Sequence, residues 1–480
     1  MAKAEKGFIK RLMDTFEGLN ECEEVEIKDS YHLGSKKIRV TNRDYPLQIN
    51  LGPKGKELHI YPEPIIITEE EKRVFKFYII FDPDTYYNDV AGFIRLDEGE
   101  TLLLSRDDPL QKAFFAIPSY ISSRHLSISQ HNGGVELKNH ATDLGSCVAP
   151  LIKEKKANRI LKLRFRRLER LKEIFGGKIE LQTPADALSL IQAVNAVMER
   201  EVHRPLNLEQ KPGGVVELAK QRKRVIIIGD LHAKLDNLLA ILSQNHHLEA
   251  LESGDGVVVI LGDAVHPEEE GLYGEMESSM LMMDFIFKLK LAFPKQLYYL
   301  RGNHDSFDDD FAKGGVPQGI VWEKTLKQCR GDEYLQEMKT YYQRLPYLAY
   351  NKRVIISHAA PPTSTVTLED LINIEQGSKL CTELNRTRLY TSSRGTGYKQ
   401  GDVKRLRKTL GVDKDAALVV GHTPYSAEDT IWTNIGGIDN HHVVFSSGQD
   451  WVGTITLIED TAYPFRYHAE PLTEVINRIE

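Results

Sequence analysis

Cysteine is scarce in this chain: Cys22, Cys147, Cys329 and Cys381 are the only four in 480 residues. They are widely spaced and form no paired ligand motif, which excludes a disulfide framework and points to free thiols in a reducing compartment. Long apolar runs are missing too. No stretch approaches the roughly 20 residues of a membrane span, and Lys3, Lys6, Lys10 and Arg11 interrupt any signal-peptide core. The expectation is a cytoplasmic protein without a membrane span, although export by a signal-independent route escapes this test. Nor is positive charge in excess. A net charge of −7 and a pI near 6.2 argue against a nucleic-acid partner held by bulk charge. Internal repeats and low-complexity tracts are also lacking.

What is present suffices for more than one core, since 480 residues at 41% apolar content exceed a single ordinary domain. Residues 1–72 read as an accessory region, with Phe8, Leu12, Phe16 and Leu19 at helical spacing. Residues 73–152 carry short strands with turn signals, the pattern of a β-sandwich, and Asn132-Gly133-Gly134 marks a hairpin. Residues 153–214 form a helical connector and linker. Its first helix ends at Gly176-Gly177, and Thr183-Pro184 supplies an N-cap and a first-turn proline for the second. The first helix carries many basic residues, read as a solvated face in preference to an acidic partner's surface. Residues 215–480 form the largest domain.

In that domain five apolar runs each end in side chains suited to a metal: Asp230-Leu231-His232, Asp263, Asn303-His304-Asp305, His358 and His422. Ligands leaving the ends of neighbouring strands converge at one sheet edge, where open α/β proteins place their sites. Asp, His and Asn together suit a hard-to-borderline divalent cation. Asp263 is the natural bridging ligand, because a carboxylate can span two cations. Asn303, His358 and His422 complete the second ion, and His304 is placed to protonate a leaving group.

These segments resemble the calcineurin-like metallophosphoesterases, and among them the phosphoprotein phosphatase family, over roughly residues 222 to 460. The family pattern Gly-Asp-x-His-Gly, Gly-Asp-x-x-Asp-Arg-Gly, Gly-Asn-His-Glu, His-Gly-Gly and a final His corresponds to residues 229–233, 262–268, 302–305, 358–360 and 422. The resemblance implies an αββα sandwich. It also implies two divalent metal ions (Mn, Fe or Zn, with manganese favoured), one held by Asp230, His232 and Asp263, the other by Asp263, Asn303, His358 and His422. Arg301, His266 and Arg394 would meet substrate, Arg394 as the anion clamp. The main departure is His266-Pro267-Glu268 in place of Asp-Arg-Gly. It removes a phosphate-contacting arginine and the carboxylate that orients the catalytic histidine, leaving His266 as a different kind of partner. The acidic run from Glu268 to Glu277 reads first as a solvated loop. His246-His247 and His441-His442 fall outside the pattern and read as structural.

A second resemblance, to forkhead-associated (FHA) domains, rests on Leu104-Ser105-Arg106, Ile121-Ser122-Ser123-Arg124-His125 and Asn139 to Val148. It implies a phosphothreonine ligand contacted by Arg106, Ser122 and Ser123, with His125 holding the loop. Together the resemblances imply a hydrolase of phosphomonoesters, acting through attack by metal-bound hydroxide on phosphorylated protein or peptide. The alternatives are a nucleotide phosphoesterase, for dinucleoside polyphosphates or cyclic nucleotides, and a non-enzymatic phosphopeptide scaffold.

Overall fold

The computed structural model describes residues 22–41, 45–52, 56–64, 75–83, 93–141, 145–151, 154–218, 224–308, 312–426, 429–458 and 461–479. The chain divides into two units, Met1–Leu163 and Arg164–Glu480.

In the first unit, strands alternate buried and partly exposed residues, as in Leu47–Leu51, where Leu47, Ile49 and Leu51 are fully buried. This period of two gives each sheet one apolar face. One sheet orders Glu23–Val25, Ile38–Val40, Gly134–Asn139, Leu126–His131 and Thr101–Leu104. The other orders Tyr31–Leu33, Ser146–Pro150, Leu47–Leu51, Lys56–Pro64, Phe75–Phe81 and Ile94–Asp97. Asn132 and Gly133 turn the expected hairpin with φ of 50° and 70°, and the Tyr78 hydroxyl of the second sheet donates to the Gly133 carbonyl of the first at 2.7 Å.

The sandwich starts earlier than the expected boundary at residue 73. Ser146–Pro150 lies between Tyr31–Leu33 and Leu47–Leu51, and Gly134–Asn139 pairs with Ile38–Val40. Residues 23–64 are therefore integral strands, because without them the later strands would carry open hydrogen-bonding edges. The helix expected over Phe8 to Leu19 lies outside the described residues.

The connector is also more integrated than its sequence implies. From Arg164 onward it belongs to the second unit, and Phe175 of helix Glu154–Phe175 stacks on Phe285 at 5.7 Å. Thr183 caps helix Pro184–Met198 by accepting from the Asp186 amide. Arg164, Arg167 and Arg170 pair with Glu470, Glu249 and Glu252, so these basic residues are used within the unit. The expected linker at Gly213-Gly214 is wedged against the Ile372 backbone: a Cβ at Gly213 would sit 2.6 Å from its carbonyl oxygen.

Two sheets face each other in the second unit. The six-stranded sheet orders Val215–Glu217, Leu348–Tyr350, Val354–Ser357, Ala417–Val420, His441–Val444 and Ile431–Thr433. The five-stranded sheet orders Leu297–Tyr299, Gly256–Ile260, Arg224–Ile228, Trp451–Ile458 and Thr461–His468. Val225, Ile227, Val257 and Val259 of one meet Val354, Ile356, Val419 and Val444 of the other in a single core. The six-stranded sheet's other face packs Ile355, Leu418 and Val420 against Val403, Leu406 and Leu410 of helix Gln400–Leu410. Helices Leu235–Leu242 and Glu277–Ala292 pack on the five-stranded sheet. Strands Arg224–Ile228, Gly256–Ile260 and Leu297–Tyr299 run parallel, as do Val354–Ser357 and Ala417–Val420. Their carboxyl ends therefore open on a common edge. Among the described residues no helix is long and apolar enough to cross a membrane, and all four cysteines are free thiols.

Candidate metal centre

At that edge the fold gathers two overlapping groups of ligand atoms, one from Asp230, His232 and Asp263 and one from Asp263, His358 and His422. Within each group the atoms lie within 4.8 Å of one another, and Asp263 is common to both. Asn303 joins the second group, its Oδ1 lying 2.9 Å from His358 Nε2. The structure thus brings together Asp230, His232, Asp263, Asn303, His358 and His422.

Tight turns deliver these side chains. His232, Ala233, Asp263, His266 and His422 have φ of 42°, 63°, 48°, 69° and 66°. The left-handed region costs a non-glycine residue about 1–3 kcal/mol and is held only where surroundings fix it. Here the Leu231 and His232 amides donate to the Asp263 carbonyl at 3.2 and 2.9 Å, and the Ala233 amide donates to Ala264 at 2.7 Å. Two glycines permit the close approach. A Cβ at Gly302 would lie 2.1 Å from Asp263 Oδ1, and one at Gly421 would lie 2.4 Å from Asp230 Oδ1.

His232 and His358 each have one nitrogen fixed by a backbone carbonyl, which aims the other at the cluster. His232 Nδ1 meets the His266 carbonyl at 3.1 Å, leaving Nε2 for a ligand role. His358 Nδ1 meets the Leu261 carbonyl at 2.9 Å. Its Nε2 then faces Asn303 Oδ1 at 2.9 Å, His422 Nδ1 at 3.2 Å and Asp263 Oδ2 at 3.3 Å. One N–H cannot serve three converging acceptors, whereas a divalent cation can. Asp230 Oδ2 accepts from the His422 amide at 2.9 Å, but its buried Oδ1 has no hydrogen-bond partner among the described residues. An orphaned buried carboxylate oxygen in an Asp/His/Asn donor set fits a hard-to-borderline cation.

The electrostatics agree. Burial pushes the Asp230 carboxyl well above its ordinary range, against the opposing pull of His358. Burial opposes charge on Asp263 as well, yet His358 and His304 outweigh it and hold that carboxyl low. For His358 burial disfavours the proton, but Asp263 and Asp230 prevail and raise it to about 9. Its proton stands where positive charge is needed. His422 is pushed down to about 3 by burial, with His358 and Arg388 adding to the effect and Asp263 opposing it.

His304 places its ring 5.4 Å from that of His232 and 5.5 Å from that of His266, while its amide donates to Asp263 Oδ1 at 2.7 Å. Burial lowers it to about 4, with Asp263 opposing and His232 assisting. His266, expected to meet substrate, is instead 1% exposed and lies between the rings of His304 and Trp322. Its φ of 69° and an amide hydrogen bond to Ser279 Oγ at 3.0 Å fix it there. Both ring nitrogens lack hydrogen-bond partners among the described residues. Its carbonyl, not its ring, serves the cluster by orienting His232.

Arg394, expected as the anion clamp, is exposed and turns its guanidinium onto its own loop, donating to the Leu389 carbonyl at 2.9 Å. Arg388, exposed on the same loop, weighs with its charge against a proton on His422. Arg301 is 9% exposed and donates to the Tyr342 carbonyl. Asp305, read from the sequence among the side chains suited to a metal, instead accepts from the Gly302 amide at 2.7 Å, the Asp263 amide at 3.2 Å and the Tyr299 hydroxyl at 2.7 Å. It ties together the loops carrying Asp263 and Asn303. Glu268 Oε1 lies 3.6 Å from His232 Nε2 and pairs with Lys313, so at least this member of the acidic run is not merely solvated. His247 and His441 bond to Tyr467 and Tyr398 at 3.0 and 2.9 Å, as structural histidines do.

In the first unit the Arg106 amide donates to the Ser122 carbonyl at 3.3 Å, although helix Pro109–Phe115 separates them in sequence. His125 is fully buried and bonds to Ser146 Oγ at 3.0 Å. The Arg106 side chain is 52% exposed beside Asp107, and Ser123 is exposed.

Residues 223–430 match the calcineurin-like phosphoesterase family. The chain is 31% identical over 157 residues to the serine/threonine-protein phosphatase rdgC of Drosophila melanogaster, covering 32% of this chain and 21% of that protein. It is 28% identical over 144 residues to the serine/threonine-protein phosphatase with EF-hands 1 of Mus musculus, covering 30% and 20%. The match thus spans about a fifth of the length of these curated relatives. Among solved structures, a protein serine/threonine phosphatase from Saccharomyces cerevisiae with similarity to human phosphatase PP5 aligns with a TM-score of 0.45 at 14% identity, covering 60% of this chain and 91% of that one.

Proposed function

We propose that this protein is a metal-dependent phosphomonoesterase acting on phosphoserine, phosphothreonine or phosphotyrosine in proteins. The observation that carries the reading is the pair of ligand groups sharing Asp263. Asp230, His232 and Asp263 would hold one divalent cation, and Asp263, Asn303, His358 and His422 the other. Bound there, two cations would supply a nucleophilic hydroxide and neutralise charge on phosphorus oxygens. The protein's own part is to fix that geometry, with His304 supplying a proton to the departing oxygen. In the free protein this ring is neutral at pH 7, since burial holds it down to about 4. A dianionic phosphate beside it favours the imidazolium and brings the acid form into use. The testing experiment is a substrate panel with added Mn²⁺, comparing phosphopeptides, diadenosine tetraphosphate and cyclic nucleotides. Faster turnover of either nucleotide class would replace the protein-phosphatase assignment.

Arg388 is the better candidate for gripping the phosphate, because its charge is felt at His422 while Arg394 is engaged with its own loop. Arg388→Ala is expected to lower kcat/KM by roughly ten- to a hundredfold, the loss of one charge-assisted contact. Lysine at 388 should restore only part of it. Arg394→Ala should change kcat/KM by less than about twofold, well below the loss of such a contact. Steady-state kinetics with metal analysis check this, and the opposite ranking would return the clamp to Arg394.

The first unit fits an FHA-like module reading phosphothreonine through Arg106, Ser122 and Ser123. The support is the Arg106–Ser122 backbone contact and the buried His125 behind it. Titration with a phosphothreonine peptide should show binding that Arg106→Ala weakens at least about tenfold. Equal binding of the unphosphorylated peptide would exclude the assignment.

A further inference from the structure

Next to the second ligand group lies a recess of about 640 Å³ that the hydrolytic chemistry leaves unused. It begins at Asn303 and runs between helices Asp332–Arg344 and Lys379–Arg386. Its described lining presents three cations, Arg301, Lys339 and Arg386, against one carboxylate, Asp308. Arg301 is rigid, being buried and bonded to the Tyr342 carbonyl. Lys339 is set by Glu323 at 2.6 Å and by the Phe307 ring at 5.7 Å. Asn385 is 5% exposed, yet among the described residues its Oδ1 has no hydrogen-bond partner and its amide nitrogen only a 3.9 Å contact to Cys381 Sγ. A buried amide so poorly engaged on a pocket wall is available to a polar ligand group.

The opposite end of the ligand cluster carries carboxylates, but they are paired: Glu268, beside His232, bonds to Lys313, and Glu269 bonds to Lys234. The charge left to flank the reacting groups is therefore the positive charge of the recess, past the second of the two ligand groups. A substrate anchored by its phosphate between them is oriented by whatever charge flanks it.

We propose that this recess binds a carboxylate of the substrate, from an acidic residue close in sequence to the phosphorylated one. The inference rests on the phosphomonoesterase reading and adds a specificity: acidic flanks are preferred over neutral, and neutral over basic. Arg301 and Asn303 adjoin the reacting groups, so Lys339 and Arg386 are the residues that decide between peptides.

The experiment uses the full-length, metal-loaded protein and matched phosphopeptides with Glu, Gln or Lys flanking the phosphoresidue. Hydrolysis is read as kcat/KM, and binding of the same fluorescent peptides by anisotropy. The wild type should favour Glu over Lys at least about fivefold in both readouts. The double variant Lys339→Ala with Arg386→Ala should erase the preference, and Arg386→Glu should invert it, with p-nitrophenyl phosphate turnover and metal content unchanged. Indifference of the wild type to the flank, or a preference that survives the double variant, overturns the proposal. If the flank is immaterial but diadenosine tetraphosphate hydrolysis falls in the double variant, the recess serves a nucleotide's second phosphate and the carboxylate assignment is likewise overturned. Failure of the wild type to hydrolyse p-nitrophenyl phosphate would sink the phosphomonoesterase reading alone, since anisotropy still ranks the peptides.

Discussion

Asp263→Asn is expected to abolish turnover and to lower bound metal from two equivalents toward one or none. Asp263 belongs to both ligand groups, so its two oxygens serve different partners. An amide keeps the shape but loses the charge, and its nitrogen, a donor only, can neither ligate a cation nor accept a hydrogen bond. It would face either the His304 amide, now 2.7 Å from Oδ1, or His358 Nε2, now 3.3 Å from Oδ2. Both replace an attraction with a donor–donor clash. The fall in kcat should exceed about a thousandfold, more than losing one oriented electrostatic contact produces. Metal should also cease to protect the fold: the wild-type Tm rises with Mn²⁺ as native-state binding requires, and the variant's should not. An active variant with two full equivalents of metal would remove the shared-carboxylate arrangement.

His304→Ala should separate substrates by leaving group. On alkyl phosphates, whose departing alkoxide needs a proton, kcat should drop about 10²–10⁴-fold. On p-nitrophenyl phosphate the drop should be much smaller, because nitrophenolate leaves without one. The pH dependence carries a further sign. With the ring held down to about 4 in the free protein, lowering pH toward that value populates its acid form. The ratio of alkyl to aryl turnover in the wild type should therefore rise as pH falls, a ratio in which any loss of metal cancels. In the variant that ratio should be flat. Equal losses on both esters would assign His304 a structural role only.

The ligand set was legible because each member ends an apolar run, and burial leaves a local signature. Strands Arg224–Ile228, Gly256–Ile260 and Val354–Ser357 are these runs, and each stops within three residues of Asp230, Asp263 or His358. Less legible was everything fixed by a distant partner. Asp305 looks like a variant ligand-loop residue until the Asp263 and Gly302 amides are seen to converge on it. His266 looks available to substrate until its turn buries the ring beside Trp322. Arg388 and Arg394 share one loop, and only its folding decides which charge reaches His422. Gly213-Gly214 reads as a hinge because composition cannot reveal the Ile372 backbone pressed against it.

The interleaving of the first unit sets the order in which it can form during synthesis. Leu47–Leu51 can pair early with Lys56–Pro64, but Tyr31–Leu33 must wait for Ser146–Pro150 to emerge, and Ile38–Val40 gains its antiparallel neighbour only with Gly134–Asn139. Closing such long loops before any pairing stabilises them makes folding slow and leaves sheet edges open in the interval. A fragment cut at residue 73, where the sequence pattern changes, would hold those edges open permanently and would be prone to self-association. The smallest fragment that can be expected to fold begins before Glu23 and runs past Pro150.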